Sequence, residues 1–178
     1  MKGVVFNLLE QVVVKKYGET TWDDLLDATA LSGAYTTLGS YPDEEIEKLV
    51  AAASTALDVP PSEVLRWFGR EAMPLLASHY PAFFSPHKSA RSFVMSVNSI
   101  IHPEVRKLYA GAGCPHFNFE TAPGGALLMG YNSARKLCAL AHGFIEGAGD
   151  HYGETMQVEH PRCMHKGDAN CVLSIRVH

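Results

Sequence analysis

The hydrophobic pattern of this chain changes its period near Gly113. Before that point, apolar residues recur at the spacing of amphipathic helices, and beyond it short stretches alternate between apolar and polar residues as strands do. A chain in which the helices come first and the strands follow is typical of an α+β fold rather than an α/β fold, in which the two alternate. The length of 178 residues suits one domain. We expect a helical N-terminal subdomain, about residues 1–60, packed on a C-terminal subdomain, about residues 61–178, with a four-stranded antiparallel sheet and one long helix.

The helical half divides at its glycines and prolines. Gly18 ends the first helix, Thr21 is placed to cap the second, and Pro74 predicts a kink within the fourth. The predicted helices cover residues 3–17, 22–31, 42–57, 62–80 and 92–109, with a loop over 81–89. In the second half we predict strands over 116–121, 126–132, 154–160 and 171–177, and a long helix over 134–147.

Composition excludes several classes of function. The net charge is −4 and no basic cluster occurs, which argues against binding to nucleic acid or to a charged membrane surface. No run of about 18 apolar residues is long enough to span a membrane. The first 18 residues superficially resemble a signal peptide, but Asn7, Glu10 and Gln11 interrupt the apolar run and indicate an amphipathic helix instead. We therefore expect a cytoplasmic protein, in which cysteines are more often metal ligands or reactive thiols than disulfides.

His102 is the first candidate functional residue. In the helix over 92–109 it lies about 100° from the centre of an apolar stripe, so its imidazole can turn from the edge of the buried face towards a cavity. A neutral imidazole there can bind a metal or a haem iron, and the alternative is a half-buried histidine bonded to a carbonyl or to water. Pro103 lacks an N–H and frees the carbonyl of Ser99, which predicts a kink or a helix start at His102. The stripe comprises Val94, Val97, Ile101, Val105 and Leu108.

A second candidate site is the motif Tyr131-x-Ser133-x-Arg135. In an extended backbone these side chains share one face. Together they offer a phenol, a hydroxyl and a guanidinium, which suits a ligand with one or two carboxylates. The alternative is the solvated end of a strand.

A third candidate is the segment His160-x-x-Cys163, followed by Cys171. This spacing suits a tight zinc loop, to which Cys138 on the long helix could add a fourth ligand. A thiol switch that releases the metal on oxidation is the rival interpretation. His165 is a substitute ligand, and Cys114 is best explained as a small buried residue.

Several of these features resemble one family when taken in order. They are the N-terminal MKGVVFNLLE, the run His102-Pro-Glu-Val-Arg-Lys-Leu-Tyr, Pro115, and the Tyr131-x-Ser133-x-Arg135 motif. The sequence resembles the haem–nitric oxide/oxygen binding (H-NOX) family of gas sensors, whose relatives include the haem domain of soluble guanylate cyclase. The resemblance covers essentially the whole chain, and the length matches a stand-alone bacterial member.

The resemblance implies a role for each motif. Haem b would lie between the two halves with His102 as the proximal ligand of its ferrous iron. Tyr131, Ser133 and Arg135 would hold the propionates, Pro115 would pack against the macrocycle and help to keep it non-planar, and Val5 and Leu9 would lie on the distal side. Some family members also bind zinc through one histidine and three cysteines, and the matching residues here are Cys138, His160, Cys163 and Cys171.

The resemblance also implies a choice of gas. Family members that bind O2 carry a distal tyrosine where this chain has Leu140. Bound O2 is stabilised by a hydrogen-bond donor, whereas NO on ferrous iron depends less on one. The other residues expected on the distal side, Val5, Leu9, Met73 and Pro74, offer no strong donor. We therefore predict binding of NO and CO and exclusion of O2.

The predicted function is a haem-based NO sensor and not an enzyme. NO would weaken or break the bond between iron and His102, and the resulting shift would reach a partner protein, typically a histidine kinase or a diguanylate cyclase. One alternative is a zinc-dependent thiol redox switch that regulates a partner kinase with or without haem. Another is a zinc hydrolase using His160 and Cys163, although no glutamate base except Glu159, in a predicted strand, adjoins them.

Overall fold

The computed structural model describes residues 1–178 and has the predicted α+β architecture. The helices are α1 (Gly3–Tyr17), α2 (Glu19–Thr29), α3 (Asp43–Leu57), α4 (Pro61–His79), α5 (Pro81–Phe84), α6 (Ala90–Ser96), α7 (His102–Leu108) and α8 (Cys138–Tyr152). The strands are β1 (His116–Thr121), β2 (Leu127–Asn132), β3 (Met156–Arg162) and β4 (Cys171–Val177). None of the helices combines the length and the apolar character needed to cross a membrane.

All four strands pair antiparallel in the order β1-β2-β4-β3, which confirms the predicted sheet. Tyr131 of β2 lies opposite Phe117 of β1 on one side and opposite Cys171 of β4 on the other. Alternate residues of the central strands are buried, as expected for a sheet with one face on the core. The register therefore places the start of the Tyr131 motif beside both the strand after Pro115 and the first residue of β4.

Two hydrophobic clusters form the core. One lies among α1, α2, α3 and the outer part of α4, and includes Phe6, Leu49 and Phe68. The other lies between the sheet, α6 and α8. Helix α4 belongs to both, since Ala72 is in the first cluster and Met73 in the second. The two halves of the chain are thus joined through α4.

Helices α4 and α8 pack closely because glycines bring their backbones together. A Cβ on Gly143 would lie 1.9 Å from the carbonyl oxygen of Arg66, and one on Gly69 would lie 2.5 Å from that of Leu140. At the edge of this contact Arg66 forms two hydrogen bonds with Glu146, at 2.6 and 2.8 Å. Bidentate pairs of this kind are directional as well as strong, so they fix the relative position of the two helices.

Several predicted boundaries are wrong. Helix α2 begins at Glu19 and not at residue 22, and Thr21 does not cap it, because its hydroxyl donates to the carbonyl of Tyr17. Helix α8 covers Cys138–Tyr152 and not 134–147, since the chain first turns through Lys136 in a left-handed conformation. The predicted loop over 81–89 contains the short helix α5. Apolar periodicity locates a helix, but local turns decide where it starts.

We expect Gly143→Ala to lower the free energy of unfolding by about 3 kcal/mol, since the added methyl group meets a backbone carbonyl that cannot move aside. Chemical denaturation followed by circular dichroism measures this change. Gly130→Ala is the control, because its Cβ would have 3.5 Å to the nearest atom and should change stability little. Equal stability of the two variants would contradict the proposed close contact.

Candidate functional site

A cavity of about 570 Å³ lies between the two halves of the molecule. Most of its walls are hydrophobic, and residues from α1, α4, α6, α7, β1, β2 and α8 all contribute. This volume is in the usual range for small-molecule and cofactor sites. The predicted site residues that line it are Val5, His102, Pro115, Tyr131, Ser133, Arg135 and Leu140.

The helix that carries His102 is interrupted, as Pro103 predicts. Helix α6 ends at Ser96, a π-helical turn covers Val97–Ile101, and α7 begins at His102. The N–H of His102 bonds the carbonyl of Val97, five residues earlier. A proline that cannot donate to the preceding turn explains why the regular ladder stops here. All five residues of the predicted apolar stripe face the cavity.

The imidazole of His102 lies against the cavity wall. Its ring is 5.5 Å from the ring of Phe117, centroid to centroid, at an interplanar angle of 30°. Burial lowers the pKa of His102 to about 4, and the positive charge of Arg106 acts in the same direction. The imidazole is therefore neutral at pH 7. Its Nδ1 is the one buried side-chain nitrogen or oxygen in the chain without a hydrogen-bond partner, which is unusual for a folded protein.

Tyr131, Ser133 and Arg135 come together at one end of the cavity. The extended strand ends at Asn132, and a turn closed by the N–H of Lys136 and the carbonyl of Ser133 follows. The Tyr131 hydroxyl accepts from the N–H of Leu137 at 2.9 Å, and the Ser133 hydroxyl accepts from the N–H of Arg135 at 3.3 Å. Both hydroxyls keep their own hydrogens for a further acceptor.

Asp43 at the start of α3 ties this motif to the N-terminal half. Its carboxylate accepts from the Nε of Arg135 at 2.7 Å and from the amino terminus of Met1 at 2.6 Å. Burial opposes ionisation of Asp43, but these two bonds outweigh it and lower the pKa of the carboxyl. Arg135 also donates to the carbonyl of Gly113. The guanidinium thus holds together three separate parts of the chain.

The wall near Leu140 is apolar and differs from the prediction at two positions. Leu9 lies outside the cavity in the N-terminal core, and Pro74 is exposed. Leu8 and Val4 take part instead, since adjacent helix residues point about 100° apart and only one side of α1 faces the cavity. Met73, as predicted, lines the cavity.

Two tyrosines of the cavity wall are not predictable from the sequence. Tyr80, at the end of α4, and Tyr109, at the end of α7, share a short hydrogen bond between their hydroxyls. Burial and the bond to Tyr80 raise the pKa of Tyr109 to about 12, so the phenol stays protonated. The two residues are 29 positions apart on different helices, and no sequence pattern indicates that they meet.

A separate cluster contains the sulfur atoms of Cys138, Cys163 and Cys171, which lie within 4.8 Å of one another and are all buried. Cys163 is 3.7 Å from Cys138 and 3.9 Å from Cys171, sulfur to sulfur. Thiolates around a tetrahedral zinc ion, each at about 2.3 Å, would be roughly 3.8 Å apart. The N–H of Met164 also donates to the sulfur of Cys171 at 3.2 Å. The donor atoms and their spacing fit zinc.

The predicted histidine ligand is not part of this group. The Nε2 of His160 bonds the Nδ1 of His142 at 3.1 Å, and the Nε2 of His142 lies 3.5 Å from Glu146. Exposed His165 bonds the carbonyl of Lys136 instead, and Cys114 is half-buried in the cavity wall. The structure thus unites the three cysteines and leaves the fourth ligand position to be tested.

Comparison with known proteins agrees with this arrangement. Residues 2–160 match the family described as Haem-NO-binding. The chain belongs to this family. The H-NOX protein from S. oneidensis, described in the Fe(II)NO ligation state, is similar at 34% identity and a TM-score of 0.93, over 100% of this chain and 99% of that one.

Two further H-NOX structures share the fold. One from Shewanella woodyi, in the Fe(II)CO ligation state, has 28% identity and a TM-score of 0.82, over 98% of this chain and 93% of that one. One from K. algicida, described as Fe(II) unliganded, has 24% identity and a TM-score of 0.88, over 100% and 97%. The residues of this H-NOX domain fit a haem, because a neutral imidazole with an unpartnered buried nitrogen faces an apolar cavity whose end carries donors for carboxylates.

We expect Asp43→Asn to lower the free energy of unfolding by about 1 kcal/mol at neutral pH, since the ion pair with Arg135 is partly exposed. The lowered pKa means that the contribution of Asp43 is present above the ordinary carboxyl pKa of about 4 and is lost as the pH falls through the folded-state value. Urea unfolding at pH 7 and at acidic pH measures both. Asp23 is exposed and unpaired, so Asp23→Asn is the control. A difference in stability between Asp43→Asn and the wild type that does not change with pH would contradict the prediction.

Proposed function

We propose that this H-NOX domain is a haem-based sensor that binds NO and CO at ferrous iron and excludes O2. The observation that carries the proposal is the neutral, partly unpartnered imidazole of His102 in the wall of an apolar cavity. Relatives described in Fe(II)NO and Fe(II)CO states support the choice of ligands. A sensor fits better than an enzyme because the cavity wall contains an imidazole with an unpartnered nitrogen and hydrogen-bond donors for the carboxylates of a ligand, rather than a base paired with a nucleophile.

Each group around the cavity has a part in holding haem b. His102 supplies a lone pair to the iron, since it is uncharged at physiological pH. Tyr131, Ser133 and Arg135 would hold the propionates, and Pro115 would pack on the macrocycle, since all four residues line the cavity. When bound, haem would supply ferrous iron that takes up a diatomic gas, and the bond from His102 to that iron would be the property that NO changes.

The signal would leave the site by two routes, through helix α7 and through the ion pair between Arg135 and Asp43. His102 begins α7 directly after a π-helical turn, so a change at the imidazole acts at an already irregular point of the helix. Arg135 and Asp43 link the haem-holding end to the N-terminal half, which we divide from the rest near residue 60. A partner histidine kinase or diguanylate cyclase would then read the relative position of residues 1–60 and 61–178.

The gas selectivity follows from the wall around Leu140. Val5, Leu8, Met73 and Phe144 line the same cavity and are all apolar, so that they donate no hydrogen bond. The phenols of Tyr80 and Tyr109 bond each other, which uses one of their two hydroxyl hydrogens, and the Tyr80 phenol is therefore tested separately below. Without a donor at position 140, O2 on ferrous iron would lack the hydrogen bond that retains it, whereas NO and CO depend on it less.

The first test is the absorption spectrum of the purified ferrous protein. We expect a histidine-ligated spectrum that air leaves unchanged and that NO and CO each shift. Loss of the Soret band in His102→Ala, with retention in a His116→Ala control on the exposed face of β1, would support the assigned ligand. Protein that carries no haem after reconstitution would overturn the proposal.

The selectivity is tested by Leu140→Tyr. A phenol at this position should slow the loss of O2 by about 10- to 100-fold, the effect of a hydrogen bond to a charged group. Leu140→Phe adds similar bulk without a hydroxyl and should behave as the wild type. Stable O2 binding by the wild type that disappears in Tyr80→Phe would show that the Tyr80 phenol serves as the donor, and the selectivity argument would be wrong.

We also propose that Cys138, Cys163 and Cys171 hold a structural zinc ion, with His160 as the fourth ligand once it leaves its hydrogen bond to His142. The sulfur spacing and the N–H donated to the sulfur of Cys171 support it. The thiols are buried, and burial raises the pKa of Cys138, so the cluster would need a cation to be charged. A zinc-linked thiol redox switch is the alternative function, since oxidation of these cysteines would release the metal.

Metal analysis of the purified protein tests the zinc site. Wild type and Cys114→Ser should each retain about one zinc ion per chain, and Cys163→Ser should lose most of it, because a structural site needs all its ligands. His160→Ala should weaken zinc binding by at least about tenfold, whereas His165→Ala should not. Equal zinc in wild type and Cys163→Ser would remove the site, and a partner response that survives His102→Ala but not Cys163→Ser would favour the redox switch.

A further inference from the structure

The π-helical turn before His102 is attached to the sheet by one side chain. Asn98 lies within this turn, and its amide N–H donates to the carbonyl oxygen of Phe117. The N–H of Phe117 donates in return to the Oδ1 of Asn98 at 3.2 Å. Strand β1 is an edge strand, so these backbone groups of Phe117 have no strand partner on that side. The Asn98 amide therefore pairs with β1 as a neighbouring strand would.

Phe117 makes a second contact with the same helix. Its ring packs against the imidazole of His102 at 5.5 Å between centroids, and the residue is 8% exposed. Its backbone thus binds the turn before the histidine, while its side chain supports the histidine itself. Asn98 is four residues, about one helical turn, before His102, so a restraint on one limits the movement of the other.

We propose that Asn98 is a positioning residue for His102, which fixes the histidine relative to the cavity wall by clamping the π-helical turn to β1. Asn98 is not among the residues that line the cavity, and it acts only through Phe117 and the helix backbone. The inference rests on the proposed function, since the position of the imidazole affects function only if His102 binds a haem iron. A clamped helix holds His102 where the sheet dictates and not where an iron–histidine bond alone would place it.

The clamp itself is tested without haem, by amide hydrogen exchange of Phe117 in the purified chain. Asn98→Leu keeps the side-chain size but removes both hydrogen bonds, and protection of the Phe117 amide should fall by about tenfold. Ser99→Ala, in the same turn but with an exposed side chain, is the matched control and should leave the protection unchanged. Equal exchange in wild type and Asn98→Leu would overturn the proposal.

The effect on His102 is tested in the haem-loaded ferrous protein by the iron–histidine stretching band in resonance Raman spectra. Without the two hydrogen bonds of Asn98, the helix can adopt the position that the iron–histidine bond favours. Asn98→Leu should therefore strengthen this bond and shift the band to higher frequency. Asn98→Asp keeps the acceptor for Phe117 but loses the donor, and should give a smaller shift in the same direction. Ser99→Ala should give none.

The outcomes separate the two proposals. If the wild type binds no haem, the proposed function fails, whereas the exchange of Phe117 still decides whether the clamp exists. If Phe117 exchanges faster in Asn98→Leu but the band does not move, the clamp is merely structural and the positioning role is overturned. If Asn98→Leu does not fold, the same two measurements on Asn98→Asp decide.

Discussion

The close packing of α4 against α8 is the contact on which the rest of this structure depends. Gly69 and Gly143 let the backbones approach to a distance that any side chain would prevent, and Arg66 and Glu146 fix the two helices at the edge. Helix α4 contributes to the cores of both halves, and α8 covers the sheet. Because this contact fixes the two halves relative to each other, a cavity remains between them. His102 lines that cavity from a third helix, α7.

The functional side chains differ in the charge state that their surroundings favour. His102 is buried without a counter-charge and is therefore neutral, so that it can act as a ligand. Asp43 is kept ionised by a guanidinium and an amino terminus, so that it can hold Arg135. The three cysteine sulfurs are buried together, and burial raises the pKa of Cys138 and of Cys171, so that these two thiols stay neutral unless a cation binds. The proposed ligation of iron, retention of carboxylates and binding of zinc would therefore rest on three different local environments in one small domain.

The connection between the histidine and the rest of the chain is built from irregular backbone. Pro103 ends the regular hydrogen-bond ladder of the helix. Asn98 lies in the π-helical turn, and its side chain hydrogen-bonds the free edge of β1 at Phe117. In a straight helix the same asparagine would point elsewhere and the histidine would be tied to its own helix alone. The irregularity thus allows the sheet to influence the ligand of the proposed haem.

The sequence by itself determined the fold class and the approximate positions of the strands, because hydrophobic period is a local property. Motif spacing likewise singled out His102 and the Tyr131-x-Ser133-x-Arg135 motif, whereas Val5, Pro115 and Leu140 were implied only by the family resemblance. It identified Pro103 as an interruption because the effect of proline on a helix is also local, whereas the role of Leu140 was implied by the family resemblance. It could not place Leu8 rather than Leu9 in the wall, which depends on how α1 is rotated against α4. Only the tertiary structure brought Tyr80 to Tyr109, Asp43 to Arg135 and Asn98 to Phe117, and it paired His160 with His142 outside the cysteine cluster. These contacts join residues from separate elements, and their formation depends on how the packed helices and the sheet orient each side chain.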